Sequence, residues 1–260
     1  MKIFIITSED AFYLPAVLDT LLAARGKDVI GVTILPETTK KKGWKGLIRE
    51  HYELFGLRTF LYQSVRFAWC RAADLVSRIV PMSRFYSVKA AVQYHQTPLY
   101  PTVNINNEEF LSTLQSLTPD VIVSVNASQI FKQPLLTLPP HGCINVHGGP
   151  LPKYRGRLPS FWALLNGEQE TGVTVHFMNE ELDDGPIILQ RRIPIVPGET
   201  QHSLILKTKH VGTELLLEAL DRLEKGRVET SPNDRSQATY NTFPTPEDGR
   251  KFRRLGLRFV

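Results

Sequence analysis

Two residues suited to chemistry, Asn145 and His147, lie two positions apart in the stretch INVHGGPLPKYRG. In an extended segment, residues at this spacing point to the same side, so the amide and the imidazole would enter one cleft. The apolar run that carries them, 143–146, predicts a strand, and ligand sites in open α/β sheets lie at the carboxyl ends of strands. The spacing therefore predicts a polar site at the end of this strand.

The residues after His147 combine a sharp turn with positive charge. Gly148, Gly149 and Pro150 favour a change of chain direction at this point. Three cations follow closely: Lys153, Arg155 and Arg157. We therefore expect positive charge beside the predicted pocket, where it could meet an anionic group.

A turn rich in carboxylates, EELDDGP at 180–186, separates two predicted strands. Turns of this composition are common at protein surfaces, so composition alone favours a solvated turn over a functional one. A metal site is only weakly indicated, because His176 lacks the partner spacing of transition-metal ligands. His176 is better interpreted as a core histidine that is hydrogen-bonded within the sheet.

Length and composition are those of a globular protein. The chain has 260 residues, of which 42% are hydrophobic and 22% charged, enough for one large domain or two small ones. Its net charge of +5 suits an anionic substrate, a phosphate-bearing carrier or nucleic acid, although solubility explains it equally well. The two cysteines, Cys70 and Cys143, indicate no disulfide framework, so we expect a reducing cytoplasm. No segment approaches the roughly 18 apolar residues of a membrane span, and we expect no membrane contact.

The elements that must position these residues follow an alternating pattern. An apolar run at 3–6, helical spacing of apolar residues at 16–22 and a β-branched run at 28–35 predict a strand, a helix and a strand. This order predicts an α/β fold with a Rossmann-like, largely parallel twisted sheet flanked by helices. The turn after the first strand has no glycine, which argues against a dinucleotide or ATP site.

Residues 38–87 differ in composition from the segments on either side. They are rich in cations and aromatics and predict a helical insertion of two or three helices. We expect its aromatic face to pack on the sheet or on a second subunit, since aromatic stripes at helical spacing are usually core. The alternatives are a substrate lid or a surface for an acidic partner.

The remaining elements are read from periodicity. Helices are predicted at 108–117, 129–136, 160–165 and 201–225, and strands at 121–125, 143–146, 172–177 and 186–195. The last helix would end at Gly226, a residue that suits a helix C-terminus. Residues 227–260 are too polar and proline-rich to form a domain by themselves.

Two segments, INVHGGPLPKYRGRLPSFWALLNGE and TGVTVHFMNEELDDGPIILQ, resemble the N10-formyltetrahydrofolate-dependent formyltransferases. That family includes enzymes acting on glycinamide ribonucleotide, methionyl-tRNA and amino sugars. Its pattern of Asn, one residue, His and a distant L-D-x-G-P is matched by Asn145, His147 and Asp183, and its L-P-x-Y-x-G element by 151–156. The resemblance implies a catalytic domain at 1–226 with the insertion at 38–87, followed by a C-terminal extension at 227–260.

The resemblance also implies a reaction. A formyl group would pass from N10 of the folate to an amine through a tetrahedral carbon that carries an oxyanion, without a metal. The amide of Asn145 would donate to the oxyanion, and His147 would stabilise the same charge and deliver a proton to N10. Asp183 would pair with the imidazole and help to remove protons from the attacking amine.

Further residues are assigned to ligands by the same resemblance. The pterin of N10-formyltetrahydrofolate would be held by Ser128, Gln129, Ile130 and Phe131. The loop that would close over it supplies Asn179, Glu180, Glu181, Leu182 and Asp184. On the acceptor side, the candidates are Gly149, Pro150, Lys153, Arg155 and Trp162.

The acceptor is inferred by elimination. The first turn lacks the glycine-rich phosphate site of the glycinamide ribonucleotide enzymes, and only 227–260 follow the catalytic region, where methionyl-tRNA enzymes have a further β-barrel domain. The stretch PSFW at 159–162 is similar to a P-x-x-W element of sugar enzymes, so we expect a nucleotide-linked amino sugar. Alternatives are methionyl-tRNA, held by Lys40–Lys42 and Arg250–Arg254, and a silent folate-binding relative that recruits a partner through 38–87. A homodimer is a further expectation.

Overall fold

A computed structural model of the chain describes residues 1–36, 43–77, 80 and 84–260. Its strands are β1 (Ile3–Ser8), β2 (Val29–Leu35), β3 (Val121–Val125), β4 (Cys143–His147), β5 (Arg155–Gly156), β6 (Glu170–Phe177), β7 (Ile187–Pro194) and β8 (Tyr240–Asn241). Its helices are α1 (Leu14–Arg25), α2 (Gly43–Phe55), α3 (Leu57–Ser77), α4 (Val88–Tyr94), α5 (Glu108–Leu117), α6 (Gln133–Leu136), α7 (Pro159–Leu165), α8 (Gln201–Glu224) and α9 (Pro246–Arg254).

Six strands form the central sheet, in the order β2-β1-β3-β4-β6-β7. The pairs among β2, β1, β3 and β4 are parallel, whereas β6 and β7 are antiparallel to their neighbours. The carboxyl ends of the parallel strands consequently meet at one edge of the sheet. The predicted α/β fold with a largely parallel sheet is confirmed.

Alternation along the strands divides the core between the two faces of the sheet. Ile3 and Ile5 of β1 pack with α1, α4 and α8, whereas Phe4 and Ile6 pack with α5 and α6. Every residue of β1 and β3 is buried, as expected for strands covered on both faces. Helices on both faces therefore hold the edge that carries Asn145 and His147.

The predicted helix at 129–136 is only half right, since α6 begins at Gln133. The side chain of Gln129 donates to the carbonyl of Val103 and accepts from the N–H of Ile105. These bonds tie the segment after β3 to a neighbouring loop, so Gln129 lies in the connection before the helix. Pro134 suits the first turn of α6, because proline has no N–H to satisfy there.

The helical insertion is present as α2 and α3, while 38–42, 78–79 and 81–83 lie outside the described residues. Much of its aromatic face does not pack on the sheet, and the alternative, packing on a second subunit, stays a prediction. Tyr52, Tyr62, Phe67 and Trp69 are all about half exposed. Helical spacing of aromatics alone does not tell which side of a helix faces the core.

The C-terminal residues pack against the catalytic region. β8 pairs with β5 in a small parallel sheet, and α9 lies against α2. Phe252 of α9 stacks on Phe161 of α7 with ring centroids 4.8 Å apart, and Phe259 joins the same cluster. A polar tail thus contributes two buried aromatic rings, although its boundary at 226 remains a prediction.

Candidate active site

The neighbouring strands β4 and β6 place two pairs of polar residues side by side. In their antiparallel register Asn145 lies opposite His176, and His147 lies opposite Thr174. Because side chains alternate along a strand, all four residues project to one face of this part of the sheet. The polar residues of two strands therefore meet next to the edge where the parallel strands end.

Asp183 reaches these residues from the turn between β6 and β7. Its Oδ1 lies 3.4 Å from Nδ2 of Asn145, and its Oδ2 lies 3.5 Å from Nδ1 of His147. The N–H of Gly156 donates to Oδ2 at 2.9 Å. Gly156 has φ of 95°, and a Cβ there would lie 2.2 Å from the carbonyl oxygen of Asn241, so only glycine fits.

His147 is buried, and both of its ring nitrogens face acceptors. Nε2 lies 2.7 Å from the carbonyl oxygen of Tyr154, and a carbonyl can only accept, so Nε2 carries a proton. Nδ1 faces the carboxylate of Asp183. The ring is therefore fixed in orientation, with Nδ1 as the nitrogen turned toward Asp183.

The amide of Asn145 is aimed by two acceptors. Nδ2 lies 3.2 Å from Nε2 of His176 in addition to its contact with Asp183. Nδ1 of His176 donates to the carbonyl of Phe177 at 2.7 Å, which leaves Nε2 free to accept from the amide. Both contacts of the amide are long, so one of its protons can be given to a bound oxygen.

The local charges hold Asp183 as a carboxylate. Burial acts to raise the pKa of Asp183, but the charge of His147, the interaction with His176 and the N–H of Gly156 together outweigh burial. The pKa of Asp183 is consequently well below its ordinary value. A neighbouring imidazole thus meets a full negative charge at neutral pH.

Asp184, the next residue, has a separate set of partners. Nη1 of Arg155 lies 2.9 Å from Oδ1 of Asp184, and Nε of Arg235 lies 2.9 Å from the same oxygen. Asn179 donates to Oδ2 at 3.2 Å. Burial acts to raise the pKa of Asp184, while Arg235, Asn179 and Arg155 lower it to a net value below the ordinary one. This carboxylate joins the turn to the strand β5 and to the C-terminal extension.

A second set of bonds fixes the turn after His147. The hydroxyl of Thr174 donates to the carbonyl of Gly149 at 2.8 Å, and Gln190 donates to the carbonyl of Leu151 at 2.7 Å. A Cβ on Gly149 would lie 2.8 Å from Nε2 of His147, closer than atoms normally approach. Glycine at 149 therefore leaves the space that the imidazole occupies.

The comparison with known families agrees with this geometry. Residues 1–220 match the model of the family described as formyl transferase. The chain belongs to the formyl transferase family.

Relatives of three kinds are similar to this member of the formyl transferase family. A methionyl-tRNA formyltransferase of Kosmotoga olearia is 40% identical over 161 residues, which cover 62% of this chain and 52% of the relative. An N-formyltransferase of Helicobacter canadensis, solved with folinic acid and dTDP-3-aminofucose, has a TM-score of 0.60 at 16% identity and covers 97% of this chain and 80% of its own. A glycinamide ribonucleotide transformylase of Symbiobacterium toebii has a TM-score of 0.61 at 19% identity, over 90% of this chain and 92% of its own. The chain spans about half the length of the curated relatives that it matches.

In this formyl transferase fold, the residues predicted to hold the pterin differ in exposure. Ile130 is 65% exposed, whereas the side chain of Phe131 is 1% exposed and belongs to the core. Ser128 is exposed near the carbonyl of Pro36, and Gln129 is committed to its loop bonds. At position 131, therefore, only the backbone could contact a ligand.

The loop predicted to close over the pterin is exposed at one end and buried at the other. Asn179, Glu180, Glu181 and Leu182 are exposed, whereas Asp184 is buried among the partners described above. The backbone carbonyl of Leu182 also accepts a hydrogen bond from Nε of Arg155 at 2.8 Å. Leu182 thus presents an apolar side chain from a loop that is anchored next to Asp183.

Most residues predicted for the acceptor have structural partners. Gly149 and Pro150 are buried, and Arg155 is paired with Asp184. The indole N–H of Trp162 donates to the carbonyl of Thr242 at 3.1 Å and so binds the C-terminal extension. Lys153 is exposed. Of the two cations assigned to the acceptor, only Lys153 is therefore without a recorded carboxylate partner among the described residues.

Sequence reasoning missed three contributors to the site. His176 is indeed hydrogen-bonded within the sheet, but it also orients Asn145. Arg235 and Asn233, from the extension, bond to Asp184 and to the carbonyl of Asp183. The antiparallel register of β4 and β6 would have revealed His176, whereas no local signal indicated the extension.

No group of three or more His, Cys, Asp or Glu side chains in the described ranges is placed to hold a metal ion. None of the helices described has the length and apolar character needed to cross a membrane.

Proposed function

We propose that this member of the formyl transferase family transfers a formyl group from N10-formyltetrahydrofolate to a primary amine of a small, anionic acceptor. The observation that carries the proposal is that Asp183, from the turn between β6 and β7, lies within 3.5 Å of polar atoms of both Asn145 and His147 on β4. Exposed apolar side chains at Ile130 and Leu182 suit the face of a planar ring.

The chemistry follows from what each group can donate or accept. The amine nitrogen attacks the formyl carbon, and the carbonyl oxygen becomes an oxyanion to which the amide of Asn145 donates. The bond from carbon to N10 then breaks, N10 gains a proton and the attacking amine loses one. His147 is the group that can carry the proton to N10, because it lies beside the amide on the same strand.

The low pKa of Asp183 refines its role. A carboxylate that holds protons so weakly is a poor direct base, but it is a strong partner for a positively charged imidazole. We therefore assign Asp183 first to the ion pair with His147. The proton of the attacking amine would then pass to a water molecule.

Cations close to the residues that follow β1 support an anionic acceptor. Thr208 of α8 lies close to Gly148, since its hydroxyl would be 3.9 Å from a Cβ there, and Lys209 follows it. Burial lowers the pKa of Lys209, with the charge of Asp10 opposing the effect. Arg66 lies 3.4 Å from Nδ1 of His202 near the same end of β1. Such groups suit the phosphates of a nucleotide-linked amino sugar.

Methionyl-tRNA is the second candidate acceptor. It is favoured by the names of the curated relatives, which are about 40% identical to this chain over 161 residues. An acceptor of this kind would be held largely through phosphates, so its use should fall steeply as salt increases.

The test is a panel assay with N10-formyltetrahydrofolate. The protein is incubated with amino-sugar nucleotides, methionyl-tRNA and glycinamide ribonucleotide, and release of tetrahydrofolate is followed. We expect turnover with an amino-sugar nucleotide and its loss in His147→Ala. Turnover with methionyl-tRNA alone would select the second candidate, and turnover that survives His147→Ala would exclude the proposed site.

A variant of Lys209 tests the anionic part of the acceptor. Lys209→Met should raise KM for a nucleotide-linked sugar about tenfold and leave KM for the free amino sugar unchanged, because only the former carries phosphates. Lys225→Met, which removes an exposed lysine at the far end of α8, is the matched control. Equal effects on both substrates would show that Lys209 does not contact the phosphates.

A further inference from the structure

The outer side of α3 carries an apolar stripe along the whole helix. Leu57, Leu61, Val65 and Leu75 lie on it, and each is more than half exposed. Leu57 and Leu75 are 18 residues apart, about five turns, and so point in the same direction. The stripe is about 30 Å long at 1.5 Å per residue, far longer than the scattered exposed side chains of an ordinary surface. Trp69 borders it and is also about half exposed.

The charges beside the stripe are positive. Arg58 and Arg71 are exposed, and neither pairs with a carboxylate of the described residues. The one acid of α3, Asp74, lies on the buried side, where it accepts from the hydroxyl of Ser87 at 2.6 Å. The exposed surface of α3 therefore combines apolar side chains with cations that pair with no carboxylate of the described residues.

A cluster of arginines on α9 extends this positive surface at one end of the stripe. Arg250, Arg253 and Arg254 line a surface cavity of about 440 Å³. Arg253 donates to the carbonyl of Leu54, and its Nε would be 3.1 Å from a Cβ on Gly56, the residue between α2 and α3. Burial and the charge of Arg250 lower the pKa of Arg253, as expected where positive charges lie close together. The cluster thus adjoins Leu57, the first residue of the stripe.

We propose that α3 lies flat on an anionic lipid bilayer, with its apolar stripe in the interface and the arginines of α9 on lipid phosphates. Helices that bind this way carry leucine and tryptophan on one face and cations at its borders. Charge complementarity favours this occupant over a second copy of the chain, because a two-fold contact would bring like charges together. An RNA partner would use the cations but leave the apolar stripe exposed.

Such a contact is peripheral and differs from a membrane span. The finding that none of the described helices could cross a bilayer concerns spans only. The expectation of no membrane contact rested on span lengths alone, and the proposal departs from it for a helix that lies in the interface plane.

Vesicle binding of the full chain tests the proposal. The protein is sedimented with unilamellar vesicles of phosphatidylcholine alone or of equal parts phosphatidylcholine and phosphatidylglycerol. We expect binding to the anionic vesicles at least tenfold tighter than to the neutral ones. The double variant Leu61→Gln with Val65→Gln should weaken that binding at least tenfold, since it removes two apolar side chains that the bilayer would bury.

Matched controls separate the stripe from general surface hydrophobicity. Val103 and Val196 are 73% and 48% exposed, against 70% for Val65 and 53% for Leu61. Val103→Gln with Val196→Gln should therefore leave vesicle binding unchanged. Arg250→Ala with Arg254→Ala should weaken it about tenfold or more, whereas Lys225→Ala with Arg227→Ala, two exposed cations elsewhere, should not.

Several results would overturn the proposal. Absence of vesicle binding, or equal loss in the stripe and control variants, would exclude a bilayer as the occupant. A concentration-dependent dimer in sedimentation velocity that Leu61→Gln with Val65→Gln dissociates would assign the stripe to a second copy. Circular dichroism of each variant ensures that a lost signal does not reflect unfolding.

Discussion

Asp183 and Asp184 are neighbours in one turn and are buried to the same degree, yet they belong to different parts of the molecule. Asp183 faces Asn145 and His147 on the sheet. Asp184 faces Arg155 and Arg235 and thereby joins β5 to the C-terminal extension. Asp183 meets an imidazole, which can exchange protons, whereas Asp184 meets guanidinium groups, which cannot.

This difference explains how a short acidic turn can serve chemistry and structure at once. Asp183 has a positive φ of 53°, and its side chain has different partners from that of its neighbour. The arginines on Asp184 hold the backbone of the turn, so that Asp183 need not supply that anchor itself. We infer that the proposed chemistry depends on the carboxylate of Asp183, and that Asp184 keeps that carboxylate in position.

The largest effect is expected when the charge of Asp183 is removed. Asp183→Asn keeps the shape but removes the charge that faces His147, and we expect kcat to fall roughly 10²- to 10⁴-fold. Steady-state assays with the acceptor found in the panel measure it. A variant that retains more than a tenth of the activity would remove Asp183 from the proposed mechanism.

A smaller effect is expected from crowding His147 rather than removing its partner. In Gly149→Ala the new Cβ would lie 2.8 Å from Nε2 of His147, so the imidazole must move and kcat should fall about 10- to 100-fold. Gly148→Ala is the matched control, because a Cβ there meets nothing closer than 3.6 Å. Equal activity of the two variants would show that the orientation of His147 is not limiting.

Removing an arginine partner of Asp184 should reduce activity less than removing the charge of Asp183. Arg235→Ala removes one of the two guanidinium partners of Asp184 while Arg155 remains, so we expect kcat/KM to fall only about three- to tenfold. The pH profile of kcat should keep its shape, since no proton-transfer group is lost. Arg192 is another exposed arginine in an ion pair, so Arg192→Ala is the control and should leave kcat/KM unchanged.

The sequence predicted the parallel part of the fold well because its signals are local. The short apolar, mostly β-branched runs of β1 and β3 indicate buried strands, and the two-residue spacing of Asn145 and His147 predicts that they share one side of β4. Trp162 and Arg155 were assigned to the acceptor by resemblance and by position beside the predicted pocket, and the sequence does not reveal which residues they contact. Their partners, Thr242 and Asp184, are distant along the chain.

The orientation of α3 could not be predicted for a related reason. Hydrophobic spacing reveals that a helix has an apolar face, but the sequence does not say whether that face meets the core, another subunit or a bilayer. The C-terminal extension shows the opposite case. Its composition is polar, yet Phe252 and Phe259 are buried because α2 and α7 provide a surface for them.

The last prediction tests the charge of Asp183 without any assay of activity. Because its pKa is lowered on folding, the carboxylate stabilises the folded state at pH values above its unfolded pKa, about 4, and this stabilisation is lost as pH falls toward the folded pKa. Wild type should therefore exceed Asp183→Asn in free energy of unfolding by about 2 kcal/mol near neutral pH, with the gap narrowing only below about pH 4. Urea unfolding of both proteins at several pH values measures the gap. A gap that already closes between about pH 7 and 5 would mean that the pKa of Asp183 is raised, and the ion pair with His147 would then not hold it as a carboxylate.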